Sequence, residues 1–134
     1  MIKVLVFGTF DGLHEGHVDF FRQAKEHGNH LVVVVGRDST VQKTKGRLPK
    51  FNENERLNSV KESGLVDEAR LGNEGNNPYK VIEEVNPNII CLGYDQIHFV
   101  DKLEQKIKAV GLNIEVVRLR AYKPEKFKSS LLNK

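Results

Sequence analysis

The chain has only one cysteine among 134 residues, so no disulfide can form within it and a reducing compartment is expected. Cys91 lies in the apolar run Ile89–Leu92, where a small buried side chain is expected rather than a nucleophile. Long apolar runs are also lacking, since none approaches the roughly 20 residues that span a bilayer. No basic and apolar export signal precedes the first strand-like run. The sequence therefore predicts a cytoplasmic protein with no membrane partner.

A strong excess of one charge is absent as well, because 21 Lys and Arg residues are offset by 18 Asp and Glu residues, giving a formal net charge of +3. Aromatic and basic residues are not interleaved as in nucleic-acid-binding modules, and no nucleic-acid partner is expected. Basic residues do gather in two places, where they either face solvent or bind phosphate. These residues are Arg37, Lys43, Lys45, Arg47 and Lys50 in one cluster and Lys123, Lys126 and Lys128 in the other.

Short apolar runs predict the strands of a parallel sheet. Residues 2–7 and 31–35 are almost entirely apolar and rich in β-branched side chains, as central strands covered on both faces should be. Residues 89–92 form a third run, and residues 114–119 alternate more, which indicates a position nearer an edge. A weaker short strand is predicted at 69–71.

Segments with helical spacing separate these runs. Their predicted spans are 17–25, 53–62, 78–85 and 100–110, with one last turn at 129–132. Asn52 and Glu55 form a capping signal before the second helix, and Pro78 opens the third. Strands that alternate with helices predict a three-layer α/β/α sandwich around a parallel sheet of about five strands, with residues 1–134 as a single domain. In such a sheet, ligands bind beyond the carboxyl ends of the strands, near the point where strand order reverses.

Glycines and histidines directly follow the first predicted strand. Gly8 and Gly12 flank a turn and Gly16 lies at the start of a helix, so backbone amides can approach a ligand closely. The free amides and positive dipole end of that helix favour phosphate. If the helix begins directly after His14, both His14 and His17 point at the same site and can donate to charge developing on a phosphoryl oxygen. The alternatives are an ordinary cap or surface histidine, and a zinc site, which lacks further His or Cys at ligand spacing.

The segment Gly8-Thr9-Phe10-Asp11 followed by His14-Glu15-Gly16-His17 resembles the signature of the cytidylyltransferase-like nucleotidyltransferase superfamily. The resemblance extends over nearly the whole chain and implies a Rossmann-like sheet. It also implies in-line attack of an acceptor phosphate on the α-phosphate of a nucleoside triphosphate, with release of pyrophosphate and no covalent enzyme intermediate. The further matching segments are Lys43 with Lys45, Glu55-Arg56, Val66-Asp67-Glu68 and Leu92-Gly93-Tyr94-Asp95.

The resemblance also implies roles for individual residues. His14 and His17 would stabilise the pentavalent phosphorus, while Lys43 and Lys45 would close over the triphosphate from a mobile loop. Asp11 would serve the acceptor or the metal-bearing triphosphate, and Mg²⁺ would enter with the nucleotide. A homodimer is implied as well. The implied nucleotide-binding residues are Gly8, Thr9, Phe10, Gly16, Asp95, Ser129 and Ser130.

Two subfamilies fit this pattern. Bacterial glycerol-3-phosphate cytidylyltransferases usually carry an arginine where this chain has Gly64, and their characteristic ending is not matched here. Archaeal-type FAD synthases, which adenylylate FMN, often have cysteines near the carboxyl end, and this chain has none there. They are nevertheless more similar, and the matching segments are Gly36-Arg37-Asp38-Ser39-Thr40-Val41, Lys45-Gly46-Arg47-Leu48-Pro49, Gly93-Tyr94-Asp95-Gln96, Tyr122-Lys123 and Ser129-Ser130.

The expected activity is therefore adenylylation of FMN by ATP. The alternative is a cytidylyltransferase that uses CTP and a polyol phosphate such as glycerol 3-phosphate. A nucleotide-binding protein without catalysis is disfavoured because both histidines and both lysines are present. A flavin ring needs an apolar or aromatic surface, for which Phe99, Tyr122 and Phe127 are candidates unless they pack in the core.

Overall fold

The computed structural model describes residues 1–73, 78–93, 100–109 and 111–120. The strands in these ranges are β1 (Lys3–Gly8), β2 (His30–Val35), β3 (Glu68–Leu71), β4 (Ile89–Leu92) and β5 (Glu115–Arg118). The helices are α1 (Glu15–Lys25), α2 (Asp38–Lys45), α3 (Glu53–Glu62), α4 (Pro78–Val85) and α5 (Val100–Ala109). No helix within those ranges is long and apolar enough to cross a bilayer.

All five strands are parallel and lie in the order β3-β2-β1-β4-β5. β1 pairs with β2 from Lys3 opposite His30 to Gly8 opposite Val35, and on its other side with β4. Strand order therefore reverses between β1 and β4, and the crevice beyond their carboxyl ends is the expected ligand position of a doubly wound sheet. β5 lies at an edge, as its alternating sequence predicted.

Helices cover both faces of the sheet. Successive strand residues point to opposite faces, so Val4 and Leu5 enter different clusters. One cluster joins the strands to α1 and α3 through buried residues that include Phe21 and Val60. The other joins them to α4 and α5 through residues that include Leu103. The Rossmann-like α/β/α architecture is confirmed.

The capping signals placed two helix starts correctly. Asn52 Oδ1 accepts the Glu55 N–H at 2.8 Å, and Glu55 Oε1 accepts the Asn52 N–H at 3.0 Å, which forms the predicted capping box of α3. α4 begins at Pro78, where the ring replaces an amide that has no helical partner. α1 begins at Glu15, two residues before the predicted start at His17.

The loop predicted for Lys43 and Lys45 was wrong, because both residues belong to the last turn of α2. The segment has one apolar side chain, Val41, which is buried, so its sequence has no apolar periodicity from which a helix could be predicted. Gly46 ends the helix in a left-handed conformation, with φ at 77°.

Cys91 is fully buried in β4. Burial and the negative charge of Glu115 raise the pKa of the Cys91 thiol to about 12, so the thiol stays neutral. The prediction of a packing residue rather than a nucleophile is confirmed.

Candidate functional site

Phe10 turns the chain sharply after β1. Its φ of 54° lies in the left-handed region that a phenylalanine rarely adopts, and its side chain is only 4% exposed. A Cβ added to Gly8 would lie 2.5 Å from the Phe10 ring, so glycine is required there. The ring packs against Phe21 at 5.2 Å between centroids, which helps to hold the strained turn. The Phe10 side chain thus belongs to the core. Because the side chain is buried, only the backbone of Phe10 is available to contact a nucleotide.

The two motif histidines cap the first turn of α1. His14 is the N-cap residue, and its Nδ1 accepts the N–H of Gly16 at 3.0 Å. The backbone N–H of His14 donates to Nδ1 of His17 at 3.3 Å. Because Nδ1 accepts in both rings, the proton of each neutral ring lies on Nε2. The chain therefore presents two imidazole Nε2–H donors.

The histidine rings lie together at the carboxyl end of β1. Their centroids are 4.0 Å apart with an interplanar angle of 27°, and the His17 ring also meets Phe10 edge-on at 5.4 Å. Burial of the ring, followed by electrostatic repulsion from the neighbouring His14, lowers the pKa of His17 to about 4. His17 is consequently a neutral donor at physiological pH. The expected convergence of the two histidines is what the structure shows.

Gly16 makes room for this arrangement, since a Cβ there would lie 2.8 Å from Cε1 of His14. Its amide donates to the His14 ring, and the amide of His17 donates to the His14 carbonyl at 3.0 Å. These first-turn amides are therefore engaged within the helix. The proton of each neutral imidazole lies on Nε2, on the other side of the ring from these backbone bonds.

Asp11 joins the glycine turn to the segment between α2 and α3. Its Oδ2 accepts the N–H of Lys50 at 2.8 Å, and its Oδ1 accepts the N–H of Phe51 at 2.9 Å. Desolvation raises the pKa of Asp11, but these two bonds and the charges of Arg56 and Arg47 outweigh it and hold the pKa below its ordinary value. Each carboxylate oxygen of Asp11 thus holds one backbone amide of this segment and keeps a further lone pair for another donor.

Arg56 connects four segments around the site and is only 1% exposed. It donates to the carbonyl oxygens of Thr9 at 2.8 Å, Gly36 at 2.7 Å and Phe51 at 2.9 Å. Its Nη2 also pairs with Asp38 at 2.7 Å. In the sequence, Arg56 was recognised only as part of the family resemblance and had no predicted role. Its position after a capping box in a polar helix was the available signal.

Asp38 and Glu53 cap each other's helices. Glu53 Oε1 accepts the Asp38 N–H at 2.9 Å, and Asp38 Oδ2 accepts the Glu53 N–H at 3.3 Å. Arg37 adds a bond to the Gly72 carbonyl and an ion pair to Glu53 at 3.3 Å. The amino end of α2 is thus fixed to α3 and, through Arg56, to the glycine turn. The exposed Lys43 and Lys45 lie at the other end of the same helix.

Several predicted site residues lie outside the described residues. They are Asp95, Ser129 and Ser130, together with the flavin-surface candidates Phe99, Tyr122 and Phe127.

Comparisons with known proteins agree with this geometry. The family model described as cytidylyltransferase-like matches residues 5–133. The FAD synthase of Thermoplasma volcanium is 42% identical over 134 residues, which are 100% of this chain and 93% of that protein. The FAD synthase of Methanobrevibacter smithii is 45% identical over 133 residues, which are 97% of this chain and 86% of that protein.

Solved structures with a similar fold agree with the family match. A crystal structure from Thermoplasma volcanium, of a protein described as a lipopolysaccharide core biosynthesis protein, has a TM-score of 0.85 at 44% identity and covers 92% of this chain and 99% of its own. Pantoate-beta-alanine ligase from Francisella tularensis has a TM-score of 0.61 at 15% identity, covering 88% of this chain and 58% of its own, which shows the fold alone. Given the matching family model and the histidine pair at the carboxyl end of β1, the chain belongs to the cytidylyltransferase-like family of nucleotidyltransferases.

Proposed function

We propose that this chain is an FAD synthase, which transfers the adenylyl group of ATP to the phosphate of FMN and releases pyrophosphate. The observation that carries the proposal is the 45% identity to an FAD synthase over nearly the whole chain. The paired histidines support nucleotidyl transfer independently, because they place two imidazole rings side by side at the strand-order reversal, where a phosphoryl group would need donors.

The reaction needs little proton chemistry. An oxygen of the FMN phosphate attacks the α-phosphorus of ATP, a new P–O bond forms, and the bond to the bridging α–β oxygen breaks, so that its electron pair leaves with pyrophosphate. The attacking phosphate is already ionised, and catalysis therefore rests on positioning and charge stabilisation. Nε2–H of His17 and of His14 would donate to the α-phosphoryl oxygens as negative charge develops on them. With its pKa at about 4, His17 does so as a neutral imidazole.

The remaining expected roles belong to this proposal. Thr9 is half-buried beside the histidine turn, and its hydroxyl would contact a phosphate. Lys43 and Lys45 would neutralise the β- and γ-phosphates and the departing pyrophosphate. The nucleotide-binding roles of Asp95, Ser129 and Ser130 rest on the family resemblance.

Mg²⁺ would enter as the ATP complex, as part of the substrate. It would shield the charge of the triphosphate during transfer. We further propose a cytoplasmic homodimer in which residues 1–134 form one nucleotidyltransferase domain. Sedimentation equilibrium at micromolar protein concentrations tests the dimer.

Two measurements test the proposed activity. Thermal shifts with ATP, CTP, GTP and UTP report which base is bound, because a ligand stabilises only the form that binds it. A chromatographic assay then compares FMN with ATP against glycerol 3-phosphate with CTP, each with Mg²⁺. FAD and pyrophosphate are the expected products. If CDP-glycerol formed and FAD did not, the substrates would be CTP and glycerol 3-phosphate instead of ATP and FMN. The proposed nucleotidyl-transfer reaction would still hold.

A further inference from the structure

We infer that the Phe51 ring forms one wall of the acceptor site, against which the isoalloxazine ring of FMN stacks. The inference rests on the proposed function, since it assigns a place to the acceptor of that reaction. It adds Phe51 to the three aromatic candidates that the sequence offered, which lie outside the described residues.

The backbone of Phe51 is fixed on both sides. Its N–H donates to Asp11 Oδ1 at 2.9 Å, and its carbonyl accepts from Nε of the buried Arg56 at 2.9 Å. The preceding amide, that of Lys50, is held by the same carboxylate at 2.8 Å. The backbone N–H and the carbonyl of Phe51 are thus each bound by a charged side chain. Such charge-assisted hydrogen bonds are stronger than neutral ones.

The ring that this backbone carries is nevertheless 39% exposed. An exposed large apolar side chain on an ordinary loop would need no explanation. Here a carboxylate oxygen and a buried guanidinium hold the backbone N–H and carbonyl of the residue that carries the ring. Leu48, three residues earlier in the chain, is also a large apolar side chain that is 57% exposed. Rigid aromatic surface lowers the entropy cost of binding a planar ligand.

The ring also lies beside the reaction site. A Cβ added to Gly12 would lie 3.5 Å from Cε2 of Phe51, so the ring rests against the turn between β1 and the histidines. Gly12 has φ at 83°, in the left-handed region that glycine adopts without strain, so the turn requires glycine at this position. An acceptor held on Phe51 is therefore adjacent to the motif that activates the α-phosphate.

The charges around Phe51 suit a flavin phosphate. The ammonium of Lys50 lies 5.7 Å from the ring centroid, and Arg47 is close enough to lower the pKa of Asp11. These cations complement an acceptor that joins a planar ring to a phosphate dianion. A polyol phosphate has no ring, so it would use the cations and leave the aromatic wall without a partner. The combination favours FMN within the acceptor class.

Phe51→Ala, Phe51→Tyr and Ile2→Ala test the inference in the full chain. Ile2 is the matched control because it is an exposed apolar residue at the amino end of the sheet, away from the site. Calorimetric titration with FMN gives its affinity, and kinetics give KM separately for FMN and ATP. Phe51→Ala should weaken FMN binding about tenfold with KM for ATP within about twofold, as expected for the loss of one stacking partner. Phe51→Tyr should retain wild-type values, as should Ile2→Ala.

Unchanged FMN affinity in Phe51→Ala would overturn the inference. An equal rise in both KM values, or dissociation of a wild-type dimer by this substitution with no selective loss of FMN affinity, would also overturn it, because Phe51 would then serve the structure or self-association. Failure of the proposed function is visible separately, since wild-type protein would then neither bind FMN in the titration nor form FAD.

Discussion

The ring of His17 caps the backbone of His14, accepting its N–H through Nδ1 at 3.3 Å, while the two rings stack at 4.0 Å between centroids. This bond fixes the tautomer of His17 as well as its orientation, because a nitrogen that accepts a hydrogen bond cannot carry the proton. The geometry therefore specifies a neutral donor directed away from the helix backbone. Each histidine thus combines a capping acceptor at Nδ1 with a second ring nitrogen, Nε2, that carries the proton.

His17→Ala is expected to lower kcat by about 10²-fold or more while changing ATP affinity much less, because the donor matters most when charge builds up on the α-phosphate. Steady-state kinetics of FAD formation give kcat, and calorimetric titration gives the affinity. His27→Ala is the matched control, since His27 is exposed beyond the end of α1. A variant with full kcat and only a raised KM would assign His17 to ground-state binding instead.

The depressed pKa of His17 predicts acid sensitivity in a defined window. The unfolded chain takes up this proton near pH 6.5, whereas the folded chain does so only at about 4. Between these values the unfolded state binds more protons, so the contribution of His17 to stability is present above pH 6.5 and is lost as pH falls toward 4. Asp11 and Asp67, whose pKa values lie below the ordinary 3.8, lose their contributions in a more acidic range.

The test is urea denaturation of wild type and His17→Gln between pH 7.5 and 4.5, a range set around the reference pKa of histidine. The difference in unfolding free energy should shrink or reverse as pH falls, because the variant has no ring to protonate. A constant difference across the range would show that His17 titrates normally in the folded protein.

Arg56→Met is expected to lower the free energy of unfolding by about 3 kcal/mol or more, because it leaves Asp38 and three carbonyl oxygens without their buried donor. Urea denaturation with a constant m-value measures the change. Arg70→Met is the control, since Arg70 pairs with Glu84 where both side chains are well exposed, and it should cost at most about 1 kcal/mol. Equal costs for both variants would mean that Arg56 is no more important than a surface ion pair.

The sheet and the motif were predictable from sequence for a common reason. Runs such as residues 31–35 must be apolar because helices cover both faces of β2. The two histidines cap the helix in which they lie, so their interactions involve only neighbouring residues in the sequence. What sequence did not reveal depends on distant partners. Asp11 binds the amide of Phe51, 40 residues away, and Arg56 binds the carbonyl of Thr9, 47 residues away. No local pattern encodes such pairs.

The helix α2 was missed for a related reason. Its stability depends on the reciprocal caps between Asp38 and Glu53 and on the burial of Val41, not on an apolar stripe. The consequence for function is that Lys43 and Lys45 are carried by a helix anchored at its amino end, rather than by a loop. Their positions are then coupled to the glycine turn through Asp38 and Arg56.

The double variant Lys43→Ala/Lys45→Ala is expected to weaken ATP binding about tenfold or more, because it removes the two charges that we propose neutralise the triphosphate. Both side chains are exposed in the last turn of α2, and alanine is a good helix former, so the thermal midpoint should stay close to wild type. Lys61→Ala is the matched control, since Lys61 is an exposed lysine in the last turn of α3. Calorimetric titration with Mg²⁺-ATP measures affinity, and raising the salt concentration should narrow the gap between wild type and the double variant. If the double variant bound ATP with unchanged affinity, the two lysines would be solvent-exposed residues without a role in binding. Other residues would then have to neutralise the charge of the triphosphate.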